Sequence, residues 1–322
     1  MSSSHPAGNH QRLHKHFEEL ANPQSVRRIL RAARLPLLAE MGTICAADVR
    51  VLQSYHDDRS YNLAAKYTVT VRSKNKERIV DLLALSHPGG RKKYAYDIIR
   101  AVSARFPTTP SLTFPKAYAY LPAFHLALTE YAPGQTLLSR LKSKKTLTRG
   151  DAERVIHWLM AFQRTRVPAR IIRPMSFKQL KNNIAILQKR NHPFVADVEK
   201  RFQRERSKME AWARRGTDIV HGDFNPANII ISQNTITAID FEYVSRGDGL
   251  MDIARFETYI SLILQSKDVP AKRRRVILAT FQRAHERISR PRTRETRARL
   301  AVYREYYTMI FQTHHMIWGA KL

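Results

Sequence analysis

His221-Gly222-Asp223-Phe224-Asn225-Pro226-Ala227-Asn228, followed twelve residues later by Asp240-Phe241-Glu242, is the stretch that decides how this chain is read. The octapeptide lies between two short apolar runs, Ile219-Val220 and Ile229-Ile230-Ile231. A Gln233-Asn234 turn then leads into Ile236 to Ile239. Short apolar runs bounded by turn residues predict strands, and two of them joined by a tight turn predict a hairpin. That hairpin brings Asp240 back beside Asn228, on a loop that already carries Asp223.

This grouping has a chemical meaning. Moving a phosphoryl group from ATP to a hydroxyl requires one carboxylate to orient the hydroxyl and accept its proton. It also requires oxygen ligands that hold Mg²⁺ against the phosphates. An Asp and an Asn five residues apart on one tight loop can divide these tasks, with the aspartate facing the acceptor and the amide oxygen facing the metal. Asp240 then supplies the charged metal ligand.

The same residues resemble the signature of the aminoglycoside phosphotransferase and choline kinase-like family, His-x-Asp-x-x-x-x-Asn followed by Asp-Phe-(Asp/Glu). The resemblance extends to Gly247-Asp248-Gly249-Leu250-Met251-Asp252-Ile253-Ala254, which is similar to the family's Gly-Asp-Pro-x-x-Asp-Leu-Ala. It includes Leu128-Thr129-Glu130-Tyr131-Ala132-Pro133-Gly134-Gln135-Thr136-Leu137, and in all it spans residues 45 to 265. It implies an α+β, two-lobed protein-kinase-like fold with a small antiparallel-sheet N-lobe and a larger, mainly helical C-lobe. It further implies Asp223 as catalytic base, Asn228 and Asp240 as Mg²⁺ ligands, and His221 and Asp252 as supports of the catalytic loop. Glu130 and Tyr131 fall in the implied hinge, whose backbone holds the adenine of ATP.

The rest of the chain is read outward from that centre. Residues 10 to 34 predict two short basic helices broken at Asn22-Pro23, with Ser25 placed to cap the second. Tyr67, Val69 and Val71 alternate with Thr68 and Thr70, the period of a half-buried strand. A second apolar run, Arg78 to Leu85, stops at His87-Pro88-Gly89-Gly90. A helix is expected from Arg91 to Arg105, then Pro-marked turns at Pro107 to Pro110 and Pro115, then a strand from Phe124 to Tyr131. After Pro133-Gly134 the period turns helical: Thr148 opens a Thr-x-x-Asp cap, Leu180, Ile184 and Leu187 mark one helix, and Phe194, Val198, Phe202, Met209 and Trp212 mark a longer one. The expected division is a helical extension over 1–40, an N-lobe over 41–128, a hinge over 129–134 and a helical C-lobe over 135–322.

Two departures from the family's pattern stand out. The run Ile79-Val80-Asp81-Leu82-Leu83-Ala84-Leu85 carries no lysine where a kinase's third strand places one for the α- and β-phosphates. The following helix carries no glutamate to pair with it, Asp97 being its only acid. A bare glutamate beside phosphates is unfavourable, so the loss of one partner removes the reason for the other. Three readings stay open: Lys66 takes the role from the neighbouring strand, Lys92 or Lys93 takes it from the helix start, or the chain is a pseudokinase that binds nucleotide without transfer. The phosphate loop is also glycine-poor, so Ser60 and the amides of the Tyr55 to Tyr61 turn have to cradle the phosphates.

Charge bears on the partner. Fifty-six Lys and Arg against 27 Asp and Glu give a net +29, a field that draws anions such as nucleotides, nucleic acid or anionic surfaces. Residues 271 to 300 alone hold eleven Lys and Arg against Glu286 and Glu295. Such a region is the reverse of what a polycationic acceptor needs, so a neutral or anionic hydroxyl compound is the expected substrate. The competing class is a nucleotide-binding protein whose basic helices grip nucleic-acid phosphates, although this run lacks the interleaved aromatics of a single-strand reader. Cys45 is the only cysteine, the first residues lack the apolar stretch of a signal peptide, and no run approaches the roughly 18 apolar residues of a membrane span. The expected location is cytoplasmic.

Overall fold

The computed structural model describes residues 15–35, 38, 40–56, 60–74, 76–143, 147–233, 235–266, 269–289 and 293–319. Asp57, Asp58 and Arg59 of the expected phosphate turn, Asn234, Arg290, Arg292 and the start of the first basic helix lie outside the described residues. The chain is α+β and divides into two compact units. One comprises Met1–Ala104 with Pro115–Ala132, the other Arg105–Phe114 with Pro133–Leu322.

The first unit is built on a five-stranded antiparallel sheet, β1 (Thr43–His56), β2 (Tyr61–Ser73), β3 (Lys76–Ser86), β4 (Ala117–Leu121) and β5 (Leu126–Glu130), in the order β1-β2-β3-β5-β4. The alternation in β2 works as its period predicts. Tyr61, Leu63, Ala65, Tyr67, Val69 and Val71 are buried, while Lys66, Thr68 and Thr70 face the other way. Helix α1 (Pro23–Ala32) packs on β1, and Leu20, Val26 and Leu30 join Tyr67 and Leu82 in one core. Tyr67 also donates its hydroxyl to the Leu20 carbonyl at 2.7 Å.

Three local expectations are corrected. The cap of α1 is Asn22, whose side chain accepts the Ser25 N–H, so that Pro23 takes the first helical position where its missing N–H costs nothing. The expected strand from Phe124 begins only at Leu126, because Pro122–Phe124 forms a 3₁₀ turn. The segment after Pro115, expected as a turn alone, holds the edge strand β4. Its flanking prolines bound the strand without removing a ladder hydrogen bond. Helix α2 (Arg91–Ser103) packs on β4 and β5 through buried Tyr94, Ile98, Ala101 and Val102.

The second unit is mainly helical. After β6 (Gln135–Thr136) come α3 (Leu137–Lys142), α4 (Arg149–Arg164), α5 (Lys178–Lys189) and α6 (Val195–Arg215). Thr148 caps α4 by accepting the Asp151 N–H at 3.0 Å, as its spacing predicts. Phe194 lies outside α6 and is exposed, so the helix's apolar stripe begins at Val198. Strands β7 (Asp218–Val220), β8 (Ile229–Ser232), β9 (Thr235–Ala238) and β10 (Ser245–Gly247) carry the motif. β7 pairs with β10, while β6, β8 and β9 form a small antiparallel sheet.

Helix α7 (Leu250–Thr258) runs into a π-helical turn, Tyr259–Ile263, and α8 (Ala271–Ser289) and α9 (Arg294–Trp318) complete the unit. The segment Arg105–Phe114 adds to it from upstream in the chain. Thr113 donates its backbone N–H to the Ile236 carbonyl at 3.1 Å, and Trp158 Nε1 donates to the Thr113 carbonyl at 2.8 Å. Phe114 enters an aromatic cluster with Trp158, Phe162, Phe224 and Phe241. Among the described residues no helix is long and apolar enough to cross a membrane.

Candidate active site

The loop from His221 to Asn228 owes its shape to residues beneath it. His221 is fully buried against the rings of Phe162 and Phe241, with centroids at 5.9 and 5.1 Å. Its Nδ1 accepts the Asp223 backbone N–H at 3.3 Å, so the ring proton sits on Nε2 and is donated to the Ile239 carbonyl at 3.1 Å. Burial pushes its pKa down to about 4, so the ring is neutral at pH 7 and acts as a strut between the two halves of the motif. Gly222 follows at φ +77°. A β-carbon there would lie 2.4 Å from the Tyr243 carbonyl oxygen, so the position demands glycine.

Asp252, on the first turn of α7, closes the loop from the other side. Its carboxylate accepts the backbone N–H groups of His221 and Gly222 at 2.9 and 3.0 Å, and Gln163 Nε2 at 3.2 Å. Burial raises its pKa to about 6 against the lowering effect of these donors. The expected support residues, His221 on the loop and Asp252 on α7, are therefore brought into direct contact.

Asp223 and Asn228 meet directly. Asn228 Nδ2 donates to the Asp223 carbonyl at 3.0 Å and to its carboxylate at 2.8 Å. Both partners are pure acceptors, so the amide nitrogen must face them and the amide oxygen points away. Asn225 adds a second donor to the Asp223 carboxylate at 3.0 Å and pins the Ala227 N–H with its own oxygen. The Ile239 N–H donates to the Asn228 carbonyl at 2.9 Å, which brings Asp240 alongside. Asp240 is exposed and has φ +67°, a left-handed conformation that a non-glycine residue adopts only where its surroundings impose it. The arrangement fits Mg²⁺: the outward amide oxygen and one carboxylate are hard donors that leave most of the coordination sphere to water and phosphate. Among the described residues no cluster of three or more His, Cys, Asp or Glu offers an all-protein alternative.

One residue of the site was not singled out from the sequence. Arg255, on α7, donates to the Asp223 carboxylate, and its guanidinium lies over the rings of Tyr307 and Phe311 at 5.2 and 5.7 Å. Its side chain is 11% exposed and that of Asp223 is 15% exposed. Burial, the largest single influence, opposes the charge, but the facing Asp223 carboxylate together with Tyr307 and Tyr306 raises the Arg255 pKa above the ordinary arginine value.

The remaining expected residues lie in the first unit. Lys66 is ion-paired with Asp81 of β3 at 2.7 Å and sits over the Tyr131 ring at 4.9 Å. Asp81 also accepts the Thr68 hydroxyl at 2.8 Å. Lys93 pairs with Asp97 at 2.6 Å, and Lys92 is largely buried. Glu130 accepts the Lys116 N–H at 3.1 Å, and the Tyr131 N–H donates to the Asp81 carbonyl at 3.2 Å. Ser60 immediately precedes β2. In the basic run, Arg273 binds the Leu141 carbonyl and Arg299 binds Asp248, whereas Lys272, Arg275, Arg283, Arg294 and Arg297 are exposed.

Residues 66–299 match the sequence model of a phosphotransferase enzyme family. Among solved structures, the chain is similar to a choline/ethanolamine kinase family protein from Mesorhizobium loti, with 17% identity, 90% of this chain and 84% of that chain covered, and a TM-score of 0.54. It is similar to the choline kinase LicA of Streptococcus pneumoniae, with 14% identity, 91% of each chain covered and a TM-score of 0.52. A thermostable aminoglycoside phosphotransferase in ternary complex with AMP-PNP and hygromycin B gives 15% identity, 88% and 90% coverage, and a TM-score of 0.53. At these identities the likeness establishes the fold, which is the two-lobed kinase-like one. No curated protein sequence matches the chain.

Proposed function

The chain belongs to the phosphotransferase enzyme family, and from that premise we propose that it moves the γ-phosphoryl group of ATP to a hydroxyl of a small molecule. The observation that carries this reading is the Asp223–Asn228 pair, in which one amide fixes the carboxylate with its nitrogen and keeps its oxygen for a metal. Asp223 accepts the proton of the acceptor hydroxyl as that oxygen attacks the γ-phosphorus. The bond to the β–γ bridging oxygen breaks, and its electron pair leaves with ADP. Asn228 and Asp240 hold Mg²⁺, which when bound neutralises charge on the β- and γ-phosphates. His221 and Asp252 keep the loop in shape, and the backbone around Glu130 and Tyr131 takes the adenine. Ser60 and its neighbouring amides, with Lys66, serve the phosphates. The kinship with a protein that holds AMP-PNP and hygromycin B together supports a nucleotide and a hydroxyl acceptor on one fold.

A second reading has its own observation. Lys66 is paired with Asp81, and the run Ile79 to Leu85 carries no lysine, which together favour nucleotide binding without transfer. In this reading the exposed basic side chains of α8 and α9 contact nucleic-acid phosphates. The experiment is a screen of ADP formation from ATP·Mg²⁺ across neutral, anionic and cationic hydroxyl compounds, with Asp223→Ala as control. Transfer that vanishes in the variant supports the enzyme. Nucleotide binding with no ADP formed on any acceptor supports the second reading.

A further inference from the structure

We infer that Arg255 selects the acceptor, and that the acceptor is a hydroxyl compound carrying an anionic group, phosphate or carboxylate, next to the hydroxyl that reacts. The inference rests on the proposed role of Asp223. Three observations carry it.

The first concerns hydrogen bonds. A guanidinium presents five N–H donors. Among the described residues Arg255 has one hydrogen-bond partner, Asp223, and its buried Nε has none. The Nε is sealed from solvent, as it is in four other arginines among the described residues, so the donor left for a ligand is Nη1, which has no hydrogen-bond partner among them either. Here the cation stands on the carboxylate that the acceptor hydroxyl must approach, so an oxyanion borne by the acceptor falls within its reach.

The second concerns the aromatic faces. Rings next to a catalytic carboxylate suit a ligand cation. Here Tyr307 and Phe311 already carry an internal one. A cationic acceptor seated against them would meet the guanidinium at close range, whereas an anionic acceptor would be drawn to it.

The third concerns the acids on the helices that wall this region, α7 and α9. Asp252 is occupied by two backbone N–H groups and Gln163. Glu257 is paired with Arg304, and Glu305 with Arg201 at 2.7 Å. Asp248, next to α7, takes Arg299 and the Tyr303 hydroxyl at 2.8 Å. Glu295, the other acid of α9, lies 3.7 Å from Arg299. Glu257, Glu305, Asp248 and Glu295 are thus paired with arginines and Asp252 is taken up by neutral donors within the fold, so they do not form the acidic wall that a polycation needs.

The test measures binding and turnover separately, on the full chain. Calorimetry with AMP-PNP·Mg²⁺ present compares four small probes: glycerol, glycerate, glycerol 3-phosphate and ethanolamine. Glycerate or glycerol 3-phosphate should bind at least ten-fold more tightly than glycerol, and ethanolamine no more tightly. The two anions distinguish carboxylate from phosphate. Arg255→Gln should abolish the anionic advantage, and Arg255→Lys should restore part of it, with AMP-PNP·Mg²⁺ affinity changed less than three-fold in both. Tighter binding of ethanolamine, or an anionic advantage that survives Arg255→Gln, overturns the inference. ADP formation with the same probes is read alongside. Anion-selective binding without transfer overturns the kinase reading alone, and transfer that favours ethanolamine overturns the selection by Arg255 alone.

Discussion

The carboxylate of Asp252 accepts the backbone N–H of His221 at 2.9 Å across 31 positions of sequence, and both residues are fully buried. They titrate in opposite senses. Asp252 is raised to about 6, chiefly by burial, so the stability it contributes is present in full below about pH 4 and is lost as the pH rises through 6. His221 is lowered to about 4, also by burial, so its contribution is present in full above about pH 6.5 and is lost as the pH falls through 4. Each is worth up to roughly 3 kcal/mol, so between pH 4 and 6 the two slopes largely cancel. Asp252→Asn removes one of them. Urea unfolding at stepped pH should show the gap between parent and variant widening by about 3 kcal/mol from pH 6 to pH 4. A constant gap would contradict the assignment.

The loop residues should separate by function. Asp223→Ala should lower turnover by roughly 10²- to 10⁴-fold, the usual worth of a positioned base, while ATP·Mg²⁺ affinity stays within a few-fold. Asp240→Ala should weaken ATP binding only when Mg²⁺ is present. With the metal removed by chelation, parent and Asp240→Ala should bind ATP alike. Calorimetry with and without Mg²⁺ checks both, and equal metal dependence in parent and Asp240→Ala would remove Asp240 from the metal site.

Lys66 has two possible duties, and a double substitution tells them apart. If it neutralises phosphate charge, Lys66→Met should weaken ATP·Mg²⁺ binding about ten- to a hundred-fold, in line with roughly 1.5 to 3 kcal/mol for a charge-assisted contact. Combining it with Asp81→Leu should not restore affinity. If its work is only the 2.7 Å pair with Asp81, the double variant should bind ATP like the parent. Lys92→Met and Lys93→Met measured beside it test the alternative positions.

Glu130 should matter little to nucleotide. Its carboxylate is spent on the Lys116 N–H, so Glu130→Gln should leave ATP affinity within about three-fold and lower stability by roughly 1 kcal/mol. Loss of nucleotide binding in a folded variant would mean that the side chain itself reads the base.

The geometry of the loop from His221 to Asn228 was legible in the sequence because its parts are close in the chain. Asp223 and Asn228 are five positions apart, and one hairpin brings Asp240 back. The sheet was legible for the same reason, since the alternation of Tyr67, Val69 and Val71 survives as a buried face. Arg255 was not. It is one of 56 basic residues and follows the recognisable Asp252-Ile253-Ala254 without any local mark. Only the packing of α7 against α9 places Tyr307 and Phe311 under it. Strand β4 escaped because five residues between two prolines carry too short a pattern to outweigh the turn signals. The absence of lysine from Ile79 to Leu85 was visible in the sequence, but the use of Asp81 as the partner of Lys66 depends on strand register, which brings Thr68 opposite Asp81.

Residues 105–114 have a consequence for how this protein could be inherited or recombined. They belong with the helical unit, yet the chain returns to the sheet unit for residues 115–132 before the rest of the helical unit begins. A crossover at residue 133 would therefore part Phe114 from the aromatic rings that pack around His221, and Thr113 from the edge it extends. The two units are interlaced along the gene and cannot be traded by one exchange. A chimaera joined at that point should express poorly unless its donor supplies a matching decapeptide, whereas one that carries 105–114 together with 133–322 from the same parent keeps the loop's foundation intact.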